Sequence, residues 1–261
     1  MIRLCLSLPA LGTLQRSNWV LQYSRNFAVK ELPWCSNSKS KLPTNTTDAN
    51  QTQRHYPIGR FGIIAAMSNN GIIGVKGSIP WNILADRKEF VRMTSGKVLI
   101  VGRKTFEEQE NLSHLSHSAK CIVISESLHG ESIQSKVSSI KTEVLIVRSF
   151  PEALDVARRL VENESSTGSS GNCLTDDIDC WIAGGQGIYH RSVLHPSACI
   201  IHMTVINIDV DVSSYSPLEI ARFPPKYHWD NRFTLVSSIE NITYDEEAIK
   251  FTQCIYKKKT F

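Results

Sequence analysis

The chain has 261 residues, of which 41% are hydrophobic and 21% charged, and its formal net charge at pH 7 is +4. This composition is typical of a soluble globular protein with one sizeable domain or at most two. No apolar run reaches the roughly 18 residues that a membrane-spanning helix needs. The small net charge gives little support for a polyanionic partner, so we expect neither a membrane nor a nucleic acid partner.

The seven cysteines favour free thiols in a reducing compartment. Cys5 and Cys35 lie near the N-terminus, and the others form no Cys-x-x-Cys pair, so neither a disulfide framework nor a zinc site is indicated. His114 and His117 are close in sequence. Two histidines without a third ligand are more typical of a loop, and we predict no metal site.

The first 59 residues differ from the rest in composition. Residues 1–30 are rich in Leu and Ser and contain four basic residues and no acid, which is typical of an organelle transit peptide. Tyr23–Ala28 resembles a mitochondrial processing site, so we expect the mitochondrion, with plastid or cytosol as alternatives. A secretory signal is disfavoured because Pro9 and Gly12 interrupt the apolar stretch. Residues 31–59 indicate a disordered spacer, and one folded domain is predicted for residues 60–261.

The folded domain begins with a continuous apolar run, Phe61–Met67, which predicts a buried strand. A loop with several glycines follows and leads to Pro80-Trp81. An amphipathic helix then begins near Leu84 and carries Asp86 close to its start, with Phe90 on the same face. A lone acid at this place is more often a residue that interacts with the helix dipole, so Asp86 by itself predicts no chemistry.

Strands and helices alternate through the rest of the chain. Ser149 and Glu152 form the pattern of a capping box at the start of a second helix, whose apolar residues recur at helical spacing. The Ser/Gly-rich stretch Glu164–Asp179 is interpreted as a surface insertion. The alternation predicts an α/β fold in a single domain, with a twisted, mainly parallel central sheet flanked by helices. The further predicted strands are Lys97–Val101, Lys120–Ser125, Val144–Val147, Cys180–Ala183, Ile200–Ile206, Phe233–Ser238 and Ile249–Tyr256.

Two strand–helix junctions have residues that suit an anionic ligand. Gly184–Gly187 follows a buried strand, and residues without side chains let the backbone approach a ligand closely. Gly102–Thr105 places two cations at a helix start, where they are unfavourable for the dipole unless an anion binds. A tight turn and a solvated basic turn are the alternatives. The Gly-x-Gly-x-x-Gly fingerprint is absent, which argues against a Rossmann domain.

Taken together, Gly71–Gly74, the helix that carries Asp86, Val101–Phe106 and Trp181–Tyr189 resemble motifs of the dihydrofolate reductase family. The similarity runs from Phe61 to the C-terminus. It implies a catalytic domain over residues 60–261 that reduces 7,8-dihydrofolate to tetrahydrofolate with NADPH, acting as a monomer on this small-molecule substrate. The alternatives are a reductase of the same fold for another pteridine or pyrimidine, and a non-catalytic nucleotide- or RNA-binding relative.

The resemblance also assigns roles to individual residues. Asp86 would bind N3 and the 2-amino group of the pterin and favour protonation at N5, while Thr204 hydrogen-bonds to it. Trp81 would belong to a mobile lid, residues 69–83, over the nicotinamide. With Asp86, Trp81 and Thr204 as the catalytic set, the substrate-binding positions are Ile64, Asp86, Phe90, Thr94, Ala183 and Thr204.

For the cofactor, the resemblance implies NADPH rather than NADH, because Arg103 and Lys104 would face the ribose 2′-phosphate. The peptide between Gly184 and Gly185 is expected to be cis. The cofactor-binding positions are Ala66, Ile73, Gly74, Gly102, Arg103, Lys104, Thr105, Ser125, Gly184, Gly185, Gln186, Gly187, Ile188 and Tyr189.

The chain departs from the family pattern at three positions. Ala119 stands where an Arg holds the folate α-carboxylate, and Lys120 is an alternative cation for that role. Arg87 replaces an apolar residue that lines the substrate site, and Glu126 stands where a small or basic residue meets the 2′-phosphate. Because no second acid or His matches the position beside Asp86, we expect the proton to come from water.

Overall fold

The computed structural model describes residues 60–107, 115–128, 142–164, 178–242 and 248–259. The predicted leader and spacer, and most of the predicted insertion Glu164–Asp179, lie outside these residues, so the boundary at residue 60 stays a prediction. The strands are β1 Phe61–Ser68, β2 Ile72–Val75, β3 Val98–Gly102, β4 Lys120–Ile124, β5 Glu143–Val147, β6 Cys180–Ile182, β7 Ala198–Ile206, β8 Ile220–Arg222, β9 Phe233–Ile242 and β10 Lys250–Lys258.

Eight of these strands form one sheet in the order β5-β4-β3-β6-β1-β7-β10-β9. Neighbouring strands from β5 to β7 are parallel, whereas β10 pairs antiparallel with both β7 and β9. The chain therefore builds a parallel sheet with an antiparallel edge. The predicted α/β class with a mainly parallel sheet is confirmed.

Four α-helices connect or flank the described strands: α1 Leu84–Thr94, α2 Arg103–Glu107, α3 Phe150–Glu164 and α4 Gln186–Ser192. The start of α3 agrees with the predicted cap, because the Ser149 hydroxyl accepts the Glu152 N–H at 3.3 Å. The Glu152 carboxylate accepts the Arg148 N–H at 2.8 Å. Helix α1 has no side-chain cap at its N-terminus. Its position must therefore come from packing against the sheet.

Both faces of the sheet are buried, which explains why the strands are almost continuously apolar. Ile63 and Ile100 belong to the core that contains Phe150 of α3. Their neighbours Ile64 and Leu99 point to the other face, where Met93 of α1 packs. Successive side chains of a strand alternate between faces, so the parallel strands hold α1 and α3 on opposite sides of the sheet.

A two-stranded antiparallel ribbon lies apart from the main sheet and consists of β2 and β8. The loop predicted between β1 and Trp81 was wrong for residues 72–75, which form β2. Its partner β8 is far away in the sequence, and β2 has only 4 residues. Pairing that is both short and non-local leaves no period-2 pattern to detect.

Candidate active site

A cavity of about 1410 Å³ opens where β1, β3 and β6 end, between helix α1 and the β2–β8 ribbon. Strand carboxyl ends at the surface of a parallel sheet are the usual place for ligands in open α/β folds. Ile64 and Ala66 of β1, Gly102 at the end of β3, and Gly184 after β6 line its wall. The cavity therefore brings together segments that lie far apart in the sequence.

Asp86 supplies a carboxyl group on the side of the cavity formed by α1. It hydrogen-bonds to Thr204 of β7, and burial raises its pKa above the ordinary value. The bond from Thr204 and the charge of Arg87 act in the opposite direction, while Glu89 adds to the increase. Burial has the largest effect, because desolvation disfavours the charged carboxylate. This wall of the cavity therefore holds an acid that keeps its proton to higher pH than usual.

Glu89 and His202 form a second contact between the same helix and the same strand. The Nε2 atom of His202 lies 3.2 Å from Oε1 of Glu89. Arg92 binds the same carboxylate through two donors, with distances of 2.7 Å and 2.8 Å. Both Glu89 and His202 line the cavity. An ionisable cluster thus lies about one helical turn from Asp86.

Tyr189 of α4 connects the turn after β6 to the central strand. Its hydroxyl donates a hydrogen bond of 2.8 Å to the carbonyl oxygen of Ile64. The same ring lies close to Gly184, where an added Cβ would be 3.2 Å from the ring atoms. A side chain at Gly184 would press on this ring and would also be strained, because the φ of Gly184 is +113°. The Ile64 carbonyl, assigned to the substrate by resemblance, thus already accepts one bond and keeps a second lone pair.

The peptide between Gly184 and Gly185 is cis, as the resemblance implied. The Gly184 carbonyl accepts the Gly102 N–H at 2.7 Å, which joins the ends of β6 and β3. A Cβ at Gly102 would lie 3.2 Å from Ile188, and one at Gly185 would lie 3.0 Å from the Thr105 hydroxyl. The two glycine-containing junctions of the sequence therefore pack directly against each other at one end of the cavity.

Basic side chains line the cavity near these junctions. Arg103 forms an ion pair of 2.6 Å with Glu107 and is 40% exposed, so its guanidinium remains accessible to a ligand. Lys104 lies beside it, and Lys76 of the segment after β2 forms a looser pair of 4.0 Å with Glu219. An anionic group bound at this end would meet several cations.

Trp81 is buried and lines the cavity, together with residues 76–79 that follow β2. It packs with Ile83, Ile206 and Phe251. Its indole Nε1 is buried without a hydrogen-bond partner among the described residues. Such a donor is costly unless a ligand or water satisfies it.

The β2–β8 ribbon is held to α4 by Gln186, whose side-chain oxygen accepts the Arg222 N–H at 2.8 Å.

Most residues assigned by resemblance do line this cavity. The exceptions are Thr94 and Ser125. The Thr94 hydroxyl donates to the Phe90 carbonyl at 2.6 Å and lies 2.7 Å from Nε2 of His117. The assigned residues that line the cavity are Ile64, Ala66, Ile73, Gly74, Trp81, Asp86, Phe90, Gly102, Arg103, Lys104, Thr105, Ala183, Gly184, Gly185, Gln186, Gly187, Ile188, Tyr189 and Thr204.

Ser125 serves the turn after β4 instead. Its hydroxyl oxygen accepts the N–H groups of Ser127 and Leu128 at 3.2 Å and 2.9 Å. Thr94 and Ser125 are both almost completely buried, and each hydroxyl already has partners inside the fold. Neither residue belongs to the cavity lining, and their assignment to ligand binding stays a prediction.

The three departures from the family pattern fall in different places. Ala119 and Lys120 begin β4 away from the cavity, and Lys120 forms an ion pair of 2.5 Å with Glu143. Glu126 is also outside the cavity wall, and its carbonyl accepts a bond from Arg148. Arg87 is exposed and lines the cavity next to Asp86. Of these residues, only Arg87 is placed to meet a ligand in the cavity.

Several lining residues were missed from the sequence. Besides Glu89 and His202, they include Leu115 and residues 217–221 around β8. The spacing held a signal for the first two, since Glu89 is three residues after Asp86 and His202 is two residues before Thr204. Helix and strand periodicity place each pair on one face. The contribution of β8 had no local signal.

The sequence model of the family described as dihydrofolate reductase matches residues 60–258. The chain belongs to the dihydrofolate reductase family. Among curated relatives, it is 28% identical to the dihydrofolate reductase of Aedes albopictus over 211 residues, which is 76% of this chain and 97% of that protein. It is 37% identical to the dihydrofolate reductase of Buchnera aphidicola over 158 residues, which is 60% of this chain and 77% of that protein.

The fold agrees with a solved member of the dihydrofolate reductase family. This is the structure of the dihydrofolate reductase from Enterococcus faecalis, complexed with NADP(H) and RAB-propyl, which superposes on this chain with a TM-score of 0.55 at 20% sequence identity. The superposition covers 77% of this chain and 98% of the Enterococcus faecalis chain. The family and fold inferred from the sequence are both confirmed. None of the helices among the described residues is long and apolar enough to cross a membrane.

Proposed function

We propose that this protein catalyses the NADPH-dependent reduction of 7,8-dihydrofolate to 5,6,7,8-tetrahydrofolate. The observation that carries the proposal is Asp86, a largely desolvated carboxyl that hydrogen-bonds to Thr204 at the wall of the cavity. Membership of the dihydrofolate reductase family supports the same reaction. A non-catalytic relative would have no need for an acid at an apolar wall, because such a group is costly to bury.

The residues at the glycine junctions suit NADPH. A Cβ at Gly187 would meet no atom within 4 Å, so the space beside this residue is open to a ligand. Arg103 and Lys104 would bind the phosphates, and Gly102, Gly184 and Gly185 would let the backbone approach the dinucleotide. NADPH, when bound, supplies the hydride that the reaction needs.

The chain's own residues would orient the pterin and control its proton. A carboxyl at Asp86 can accept hydrogen bonds from N3–H and the 2-amino group, which fixes the ring in one orientation. Phe90 and Ile64 give this region apolar walls, and exclusion of water strengthens each charge interaction within it. Because burial raises the pKa of Asp86, its carboxyl keeps a proton to higher pH than an exposed carboxyl does.

The carboxylate tail of the folate would meet Arg87. This guanidinium is the cation that α1 presents to the cavity, whereas Lys120 is engaged with Glu143 at the other end of β4. Arg87 is exposed, so a bound carboxylate would compete with water and with salt. We expect a tail contact that is useful but weaker than a buried one.

The test is oxidation of NADPH by the purified protein with dihydrofolate and, in parallel, with 6,7-dimethyl-dihydropterin, which has no tail. Turnover of dihydrofolate at a lower KM than the tail-less compound is the expected result. Turnover of the tail-less compound alone would favour the second candidate, a reductase of small pteridines. No oxidation of NADPH with either compound would refute the reductase assignment.

We also propose import into the mitochondrion and action as a monomer. Residues 1–30 support import by their basic, acid-free composition. A fluorescent protein fused behind residues 1–41 should enter mitochondria, and cytosolic or plastid fluorescence would contradict this. Sedimentation of the catalytic domain should give the mass of one chain.

A further inference from the structure

Helix α1 and strand β7 are joined by two polar contacts at the cavity wall. Asp86 hydrogen-bonds to Thr204, and Glu89 contacts His202 at 3.2 Å. The acids are three residues apart on α1, and their partners are two residues apart on β7. These are the spacings at which side chains share a face of a helix and a face of a strand, so the two contacts run side by side.

The second contact has a defined protonation state. Hydrogen bonds from Arg92 hold the pKa of Glu89 below its usual range, so Glu89 is a carboxylate. Burial holds the pKa of His202 below its usual range, so its imidazole is neutral near pH 7. A carboxylate only accepts hydrogen bonds. His202 must therefore carry its proton on Nε2 and donate it to Glu89.

This pair is rigid compared with an ordinary surface ion pair. The side chain of His202 is 4% exposed and that of Glu89 is 19% exposed. Arg92 holds the carboxylate in a bidentate contact through Nε and Nη2, so both carboxylate oxygens have donors. A carboxylate held from two sides keeps its charge at a fixed place relative to Asp86.

We propose that Glu89, held by His202 and Arg92, is a positioning residue for Asp86: it fixes the helix turn that carries Asp86 and keeps a permanent negative charge beside it. This inference rests on the proposed function, in which Asp86 acts on the pterin. A fixed negative charge one turn away makes the ionised form of Asp86 less favourable. Glu89 thereby extends to higher pH the range in which the cavity holds a proton.

Other charged and titratable groups around Asp86 act differently. On α1, Arg87 favours its ionised form, and Arg92 lies beyond Glu89. On β7, Thr204 hydrogen-bonds to Asp86, and the neutral His202 contacts Glu89. Tyr189 faces Asp86 from α4, but burial and the charge of Asp86 raise its pKa, so it stays a neutral hydroxyl. The other ionisable groups that line the cavity are Lys76, Arg103, Lys104 and Glu219.

The test compares Glu89→Gln with Arg92→Gln, which change the charge near Asp86 in opposite directions. The first measurement is the titration of the Asp86 carboxyl in the free protein, followed by ¹³C NMR and assigned with Asp86→Asn. We expect its midpoint to fall by about half a pH unit in Glu89→Gln and to rise in Arg92→Gln, as interactions between partly solvated charges predict. Lys257→Gln, an exposed change of charge on β10 outside the cavity wall, is the control and should leave the midpoint in place.

The second measurement is the pH profile of kcat/KM for dihydrofolate. Activity that needs a proton falls as pH rises, so the alkaline limb should move to lower pH in Glu89→Gln and to higher pH in Arg92→Gln. His202→Leu removes the donor that holds Glu89 and should lower kcat more than His202→Gln, which keeps an N–H donor. Equal loss in these two variants would overturn the role assigned to the bond.

The remaining outcomes separate this inference from the proposed function. An Asp86 midpoint that is unchanged in Glu89→Gln overturns the inference. If that variant does not fold, an unchanged midpoint in Arg92→Gln overturns it, because Arg92 is 57% exposed and its replacement leaves the core intact. The inference is also overturned if the Asp86 midpoint moves in these variants but the alkaline limb of the pH profile stays in place. Absence of dihydrofolate turnover in the unmodified protein refutes the function, while the titration still decides whether Glu89 acts on Asp86.

Discussion

The Tyr189 hydroxyl donates a hydrogen bond of 2.8 Å to the Ile64 carbonyl oxygen, and this bond ties α4 to the central strand at the wall of the cavity. Both residues are buried, and Tyr189 also packs against Phe223 with ring centroids 5.0 Å apart. Burial raises the pKa of Tyr189, so the hydroxyl remains a donor throughout the physiological pH range. The cis Gly184–Gly185 turn is therefore held in place by a side chain of the helix that follows it.

Removing this bond should destabilise the fold. Tyr189→Phe keeps the ring but leaves the Ile64 carbonyl without its donor, which costs about 1–3 kcal/mol for a buried acceptor. Urea unfolding in the absence of ligand measures the loss. Tyr227→Phe is the control, because Tyr227 is 73% exposed and its hydroxyl should contribute little. Equal stability of the two variants would mean that the bond contributes nothing to stability.

Replacing the acid should remove most of the activity without unfolding the protein. We expect Asp86→Asn to lower turnover at neutral pH by about 10²–10⁴, the usual contribution of a positioned acid–base group. The loss should shrink at low pH, where substrate can arrive already protonated. Near-full activity of the variant at pH 7 would make Asp86 a structural residue.

Stability provides the control for this variant. A carboxyl whose pKa is raised on folding binds its proton more tightly in the folded state. The wild type therefore loses stability as pH rises from the ordinary value of 3.8 through the folded-state pKa. Asp86→Asn has no such loss, so at neutral pH it should be at least as stable as the wild type. A lower melting temperature would show that its lost activity reflects unfolding.

Local sequence predicted the strands of the parallel sheet, because each is a short apolar run with a turn signal after it. β1 and β3 were placed within one residue of their observed bounds. The β2–β8 ribbon was not predicted, since its two short strands are far apart in the sequence and are stabilised by contacts with each other and with other segments, including Gln186. Pairing between distant segments is a tertiary property, and no local pattern encodes it.

The candidate site was predicted from sequence motifs, so the prediction included only residues that lie in or near a motif. Motifs located the glycine junctions and Asp86, which the fold brings to one cavity. They also suggested Thr94 and Ser125, whose hydroxyls are used inside the fold. Glu89 and His202 were missed because neither residue belongs to a recognisable motif. Their contact depends on the packing of α1 against β7, which the sequence does not show.

The choice of cofactor should depend on Arg103. A charge-assisted contact with a phosphate contributes roughly 1.5–3 kcal/mol, so Arg103→Ala should weaken NADPH binding about 10- to 150-fold and NADH binding far less. Fluorescence titration with both cofactors measures the difference. Glu107→Gln is an informative partner variant, because it releases Arg103 from its ion pair of 2.6 Å and should tighten NADPH. Equal losses for both cofactors in Arg103→Ala would show that Arg103 does not contact the 2′-phosphate.

Recognition of the folate tail should depend on Arg87 and not on Lys120. Arg87→Leu should raise the KM for dihydrofolate several-fold relative to the KM for the tail-less dihydropterin, because an exposed ion pair contributes about 0.2–1 kcal/mol and the effect of the lost charge on Asp86 is common to both substrates. Lys120→Ala is the matched control, since Lys120 is paired with Glu143 outside the cavity wall. The effect should appear in KM, as expected for a contact that is equal in ground and transition states. A raised KM in Lys120→Ala alone would place the tail at the start of β4.

The centre of the sheet should tolerate no side chain at position 62. A Cβ at Gly62 would lie only 2.5 Å and 2.6 Å from ring atoms of Trp181, which is completely buried on β6. Because backbone pairing between β1 and β6 fixes both residues, Gly62→Ala must push the indole out of place, and overpacking of this kind costs about 1–3 kcal/mol or more. Gly187→Ala is the contrasting change, since its Cβ would meet nothing within 4 Å and Ala is preferred in a helix by up to about 1 kcal/mol. Urea unfolding without ligand should therefore rank Gly187→Ala at or above the wild type and Gly62→Ala well below it, and the reverse order would contradict the packing of Trp181 against β1.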